Sequence, residues 1–128
     1  MQQRPRYGDV VSEVSEFLAK RVHLAEKAGI SRSRIWIDPG LGFGKLSAHN
    51  LSLLRRLDSF VKLGIPVVVG PSRKSFIGET LNVELSERLP GTLACLAWAF
   101  EAGVQMVRVH DVKAAVQLLN MLQAIKAS

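Results

Sequence analysis

From Asp9 onward, Val10, Val14, Phe17, Leu18, Val22 and Ala25 recur at three- and four-residue steps until Gly29, a spacing that predicts an amphipathic helix capped by Asp9. The run RIWIDPG that follows is β-branched and aromatic and closes on a Pro-Gly turn, which predicts a buried strand ending near Asp38. After Ser47, the residues Leu51, Leu54, Leu57 and Val61 share one helical face, and Gly64 stops it. IPVVVG then reads as a strand from Pro66 to Gly70, with little alternation, the pattern of a strand covered on both faces. A further helix is expected over roughly Arg88 to Ala102, with Pro90 at its start and Gly103 at its end. QMVRVHD is the third strand, and Val112 to Lys126 the last helix, with Val116, Leu119, Leu122 and Ile125 as its core positions.

The order is one helix followed by three βα units. Strand starts near 35, 66 and 105 lie 31 and 39 residues apart, lengths that suit right-handed crossovers between parallel neighbours. A complete (β/α)8 barrel spends about 250 residues on eight such units. The pattern therefore predicts an α/β fold holding close to half of a TIM barrel, with about three parallel strands and four helices. The opening helix arrives before any strand it could cover, so further elements are expected upstream.

Composition narrows the class. With 128 residues, 48% hydrophobic and 22% charged, the chain has the makeup of one folded domain with a core of its own. The net charge of +6 permits an anionic partner. The basic residues, among them Arg4, Arg6, Lys20, Arg21, Arg55, Arg56, Arg73 and Lys74, are scattered and lack interleaved aromatics, which argues against nucleic-acid binding. Cys95 has no partner cysteine, lies in an apolar run and is expected to pack in the core, as suits a reducing cytosol. No leader-like or membrane-length apolar stretch is present, so the expected location is cytoplasmic, with no membrane partner.

Three polar clusters fall at the carboxyl ends of the three predicted strands: DPGLGFGK, GPSRKSFIG and RVHD. In parallel α/β architectures the loops leaving those ends gather on one face, and sites are built there from several strands together. Asp38 ends an apolar strand and could accept paired hydrogen bonds from an amidine-like ring edge, or simply shape the turn before Pro39. Gly40, Gly42 and Gly44 allow close backbone approach, and Phe43 between them can lie against a flat ring. Gly70 leaves room over the second strand. Lys74, in the stretch Ser72, Arg73, Lys74, Ser75, is the cation best placed to bond a ligand ring, with a bland basic loop as the competing account. Arg108 and His110 are two apart on a strand and share a face, with Val107 and Val109 opposite. Arg offers a fork for phosphate and His a donor to a leaving phosphate oxygen.

Other chemistries fit poorly. GLGFGKL is no P-loop, because Pro39 stands at the first glycine position and Leu46 where Ser or Thr would hold magnesium; its glycines also miss the dinucleotide spacing. His23, His49 and His110 lack metal-ligand spacing, so no metal ligand is assigned, and there is no nucleophile elbow.

Taken together, DPGLGFGK, HNLSLLRRL, PVVVGPSRKSFIG, SERLPGT and RVHDV resemble, in order and spacing, the C-terminal half of the bacterial dihydropteroate synthase family from about Tyr7 to Ile125. The resemblance implies that residues 1–128 are the C-terminal part of a pterin-binding (β/α)8 barrel whose N-terminal half is absent. It implies a transferase of folate biosynthesis that joins 6-hydroxymethyl-7,8-dihydropterin pyrophosphate to p-aminobenzoate, releasing pyrophosphate with the help of Mg2+. Asp38 would then hold the pterin amine edge, and Lys74 would bond the pterin while flanking the aminobenzoate pocket. Gly42, Phe43 and Ser72 would line that pocket, Gly70 would lie beneath the ligand, and Arg108 with His110 would hold the pyrophosphate. Lys74, Arg108 and His110 are the expected catalytic groups. The magnesium ligand would lie in the missing half, sulfonamides would compete with aminobenzoate, and a homodimer through the C-terminal helices is expected. The isolated chain is expected to be inactive. A non-catalytic pterin-binding or assembly fragment that pairs with a partner half stands as the alternative, with a pterin- or corrinoid-linked methyltransferase barrel behind it.

Overall fold

The computed structural model describes residues 9–128. Arg4, Arg6 and the start of the resemblance at Tyr7 lie outside the described residues. Helix α1 spans Val10–Lys27 and is capped as predicted: the Asp9 carboxylate accepts the backbone N–H groups of Val11 and Ser12 at 3.1 and 3.2 Å. Those bonds hold the Asp9 carboxyl below its ordinary range. A 3-10 turn, Arg32–Arg34, leads into the first extended segment. Helices α2 (Ser47–Arg55) and α3 (Leu57–Val61) follow, then strand β1 (Val68–Val69), α4 (Ser75–Leu81), a second 3-10 turn (Leu85–Glu87), α5 (Leu89–Ala102), β2 (Met106–Val107) and α6 (Val112–Ala127).

Three parallel segments make the sheet, in chain order. Ile37 bridges Val67, and β1 pairs β2 with Val68 opposite Met106 and Val69 opposite Val107. The first predicted strand is reduced to that single bridge, and the other two are each two residues long. Prolines explain part of this, since Pro39, Pro66 and Pro71 carry no N–H to extend a ladder. Pro66 contributes only its carbonyl, which accepts the Ile37 N–H at 2.9 Å. The parallel segments with helices laid on them form part of an α/β barrel.

The core lies between one face of the sheet and the helices. Leu53, Leu57, Phe60, Val67, Val69 and Ala99 are fully enclosed there, with Val10, Val11 and Val22 of α1 and Phe76 and Ile77 of α4 around them. The second strand is thus not covered on both faces. Val67 and Val69 are buried, whereas Pro66 and Val68 on the other face are only partly shielded, and Met106 beside Val68 is exposed, because the helices pack on one side alone.

Several expected details change. The helix predicted from Ser47 to Gly64 breaks at Arg56, and its inner face is Leu53, Leu54, Leu57 and Phe60, with Leu51 exposed. Phe17 is also exposed, lying beneath the Arg21 guanidinium at 5.0 Å. On α6 only Ala115 is buried, while Val116 and Ile125 face outward and Leu119 and Leu122 are half-buried, because α6 packs chiefly on α5. Helix α4 has no counterpart in the sequence pattern; it ends at Asn82, whose left-handed φ of 55° supplies the stop.

Cys95 packs against the core as expected, and burial pushes its thiol up to about 11. At pH 8 only about one thiol in a thousand is then ionised. Under native conditions at that pH a thiol reagent should modify Cys95 at least roughly 100-fold more slowly than in the unfolded chain; equal rates would contradict the burial.

Candidate active site

The first cluster leaves Ile37 as a tight turn fixed from within. Asp38 Oδ1 accepts the Gly40 N–H at 2.8 Å, so this carboxylate does shape the turn before Pro39. Lys45 Nζ donates to the carbonyls of Gly40 and Phe43 at 2.9 and 3.0 Å, and the Gly42 N–H donates to Asn50 Oδ1 at 2.8 Å. Asn50 is buried on α2 and returns its amide to the Leu46 carbonyl at 3.2 Å. Sequence reasoning misses both Lys45 and Asn50. The available signal is a polar residue one helical turn before Leu54, on the face that packs inward.

The second cluster leaves β1 through Gly70 and Pro71. Lys74 runs along Gly42, where a Cβ would come within 3.1 Å of its Cδ, and its Nζ donates to the Leu41 carbonyl. The same ammonium stands 4.7 Å from the centre of the Phe43 ring. Partial burial lowers its pKa, with nearby Arg108 and Lys45 adding to the effect and Asp38 opposing it. Lys45 is likewise lowered by burial against the pull of Asp38.

Arg108 and His110 come from the third segment. Arg108 Nη1 pairs with Asp38 Oδ2 at 2.8 Å, so Asp38 uses one oxygen for its own turn and the other for a residue two strands away. His110 Nδ1 and Ser72 Oγ lie 2.7 Å apart, and the His110 N–H donates to the same hydroxyl at 3.1 Å. Ser72 is buried and therefore serves as a mount for the imidazole.

These groups surround one cavity of about 300 Å³, lined by Phe43, Gly70, Ser72, Lys74, Arg108, Val109 and His110. Asp38 touches it through Arg108, and Gly42 through Lys74. Six of the eight residues expected from sequence thus line this cavity, while Asp38 and Gly42 stand behind it. Val109 also reaches the cavity wall, although strand alternation assigns it to the helix side. Three cations, Lys45, Lys74 and Arg108, stand near one carboxylate, so the rim favours an anionic ligand. Among the described residues no three His, Cys, Asp or Glu side chains cluster as metal ligands. The magnesium implied by the resemblance therefore finds no ligand set here.

A model of the family described as pterin binding enzyme matches residues 1–110. The chain belongs to the pterin-binding enzyme family. The dihydropteroate synthase of Escherichia coli (strain K12) is 46% identical over 124 residues, covering 97% of this chain and 44% of that protein. An inactive dihydropteroate synthase 2 of Mycobacterium leprae is 44% identical over 119 residues, covering 93% of this chain and 41% of its own length. The solved dihydropteroate synthase of Xanthomonas albilineans in complex with 7,8-dihydropteroate superposes with a TM-score of 0.95 at 46% identity, over 97% of this chain and 48% of that one. This member of the pterin-binding family thus spans under half the length of these relatives.

Gly70 is the point at which this rim is most easily broken. A Cβ there would lie 2.8 Å from Arg108 Nη2 and 3.2 Å from its Cζ. The guanidinium is the free end of a flexible side chain, so it would give way rather than the backbone. Gly70→Ala should cost under about 1 kcal/mol in thermal unfolding yet separate Arg108 from Asp38 in a crystal structure of the variant; an intact pair would contradict this.

Proposed function

We infer that this chain supplies the catalytic rim of a dihydropteroate synthase, the transferase that joins a pterin methyl pyrophosphate to p-aminobenzoate in folate synthesis in the cytoplasm. The observation that carries the reading is the convergence of Phe43, Ser72, Lys74, Arg108 and His110 on one cationic cavity in a chain of the pterin-binding family. Among the described residues no helix is long and apolar enough to cross a membrane.

The roles follow from charge and position. Arg108 and His110 hold the pyrophosphate, and Arg108 also lies against the pterin. As the bond between the pterin methylene and the pyrophosphate oxygen breaks, its electron pair leaves with the pyrophosphate, whose growing negative charge these donors stabilise. The arylamine nitrogen then bonds the methylene and gives its proton to water or to the departing pyrophosphate. Lys74 contributes a poised cation: its ammonium is held by the Leu41 carbonyl and the Phe43 ring, and a ligand ring oxygen or nitrogen offers a comparable partner. Asp38 directs its carboxylate to the pterin amine edge, with Arg108 fixing its orientation. Phe43, Gly42 and Ser72 flank the aminobenzoate, and Gly70 lets the ligand lie close over β1. This chemistry is positioning and electrostatics, without a covalent enzyme intermediate. Magnesium, as a cofactor of the reaction, is held in this reading by groups other than the described residues, and no step assigned here runs through it.

A second reading has specific support, since one relative of 44% identity is named an inactive dihydropteroate synthase. The chain would then bind pterin without turning over. Self-association through the C-terminal helices is part of the first reading: α6 leaves Val112 and Val116 exposed on one side and Met121 and Ile125 on the other, apolar surface of the kind a second copy covers. Sedimentation should give the mass of two chains, and a single-chain mass at micromolar concentration would contradict it.

The chain is expected to release pyrophosphate from pterin pyrophosphate, p-aminobenzoate and Mg2+ only when a complementary barrel half is added. Turnover by the chain alone would refute the need for that half, and pterin binding without turnover in the completed barrel would favour the second reading. In the completed barrel, Arg108→Ala should weaken pyrophosphate-bearing pterin by roughly 10- to 100-fold, the loss of a charged hydrogen bond, and bare pterin much less. Equal losses for the two ligands would remove Arg108 from the leaving-group role.

A further inference from the structure

Arg73 lies between two residues of the cavity, Ser72 and Lys74, yet its own side chain turns away from that cavity. Its backbone adopts a left-handed conformation, φ 58°, which a residue with a branched or long side chain takes up only when its surroundings enforce it. Four contacts enforce it here. The Arg73 N–H donates to Thr92 Oγ1 at 3.0 Å, and Thr92 is almost wholly buried on α5. The Arg73 carbonyl accepts Arg88 Nη1 at 2.9 Å. The guanidinium takes Asp111 with two parallel bonds, Nη2 to Oδ1 at 2.9 Å and Nε to Oδ2 at 3.3 Å.

Asp111 immediately follows His110, and Ser72 immediately precedes Arg73. The ion pair therefore ties together, one residue away on each side, the same two loops that the Ser72–His110 contact joins inside the cavity. Arg73 and Asp111 line a separate, larger hollow of about 590 Å³ with Glu84, Leu85, Ser86 and Leu89, whereas Ser72 and His110 line the smaller cavity. The pair thus belongs to the larger hollow while its chain neighbours belong to the smaller. Arg88 closes the arrangement from behind: its guanidinium lies so close over Gly78 that a Cβ there would come within 2.6 Å of Nε.

We propose that Arg73 and Asp111 are positioning residues, a clamp that holds Ser72 and His110 in register so that the imidazole presents one fixed ring nitrogen to the anionic ligand. With Nδ1 engaged by Ser72, Nε2 is the nitrogen left for a ligand. The clamp acts through His110 without touching the ligand. This inference rests on the cavity being the anion site described above, and its test is chosen to read the clamp separately.

The readout is the pair of ring ¹⁵N signals of His110 in the folded full-length chain, which distinguish a fixed tautomer from the averaged mixture of a free imidazole. The unaltered chain should show a fixed tautomer. Arg73→Gly removes the guanidinium while leaving the left-handed backbone free of strain, and leaves Asp111 in place beside His110. It should move the His110 signals toward the free mixture, as should Asp111→Asn. The exchanged double variant, Arg73→Asp with Asp111→Arg, should recover at least half of the change. Affinity for inorganic pyrophosphate should fall roughly tenfold in each single variant, the size of coupling expected between neighbouring groups. Unchanged His110 signals in a folded Arg73→Gly chain would overturn the clamp. If Arg73→Gly fails to fold, the His110 signals of Asp111→Asn decide in the same way. Failure of the unaltered chain to bind pyrophosphate would count against the anion site, while the histidine signals would still decide the clamp.

Discussion

The contact between Arg108 and Asp38 crosses the width of the sheet, and the rest of the rim is arranged around it. Asp38 leaves the first parallel segment and Arg108 the third, and the guanidinium reaches the carboxylate by lying over Gly70 at the end of the strand between them. Three requirements meet in that geometry: parallel strands that end at one level, a middle residue with no side chain, and an acid and a base on the outer two. Any side chain at position 70 would occupy the path of the guanidinium. The sheet therefore acts as a spacer that brings opposite charges together over bare backbone.

Around that pair the loops are held by cations as much as by backbone bonds. Lys45 gathers the carbonyls of Gly40 and Phe43, and Lys74 takes that of Leu41, so three carbonyls of one turn point toward two ammonium groups. Withdrawing those ammonium groups from water costs solvation, which is why burial lowers the pKa of both lysines. An incoming anion would restore much of what they lose. A rim built this way is preorganised for negative charge, since its donors already stand in place and need little rearrangement when charge develops.

Much of this is legible in the sequence because the polar clusters sit where apolar runs stop. Asp38, Lys74, Arg108 and His110 can be assigned to one face from strand order alone, since parallel strands leave their loops on the same side. Residues that act from behind the rim are harder to see. Asn50, Thr92 and Asp111 are single polar side chains whose partners lie 8, 19 and 38 residues away, distances over which no local pattern connects them. Helix α4 is hidden by Gly78 and by the cluster that opens it, and its necessity emerges only once Phe76 and Ile77 are seen in the core. The outward face of α6 escapes the sequence pattern for a related reason: apolar spacing identifies a stripe, and what that stripe meets is decided by the neighbouring layer.

The most direct measurement is the chemical-shift map of the isotope-labelled chain, joined to its complementary barrel half and titrated with pterin pyrophosphate. Saturable changes are expected at Asp38, Phe43, Lys74, Arg108 and His110, with the bulk of α1 and α6 unmoved. Saturable binding that left those five residues unperturbed, or moved residues on the helical face instead, would contradict it.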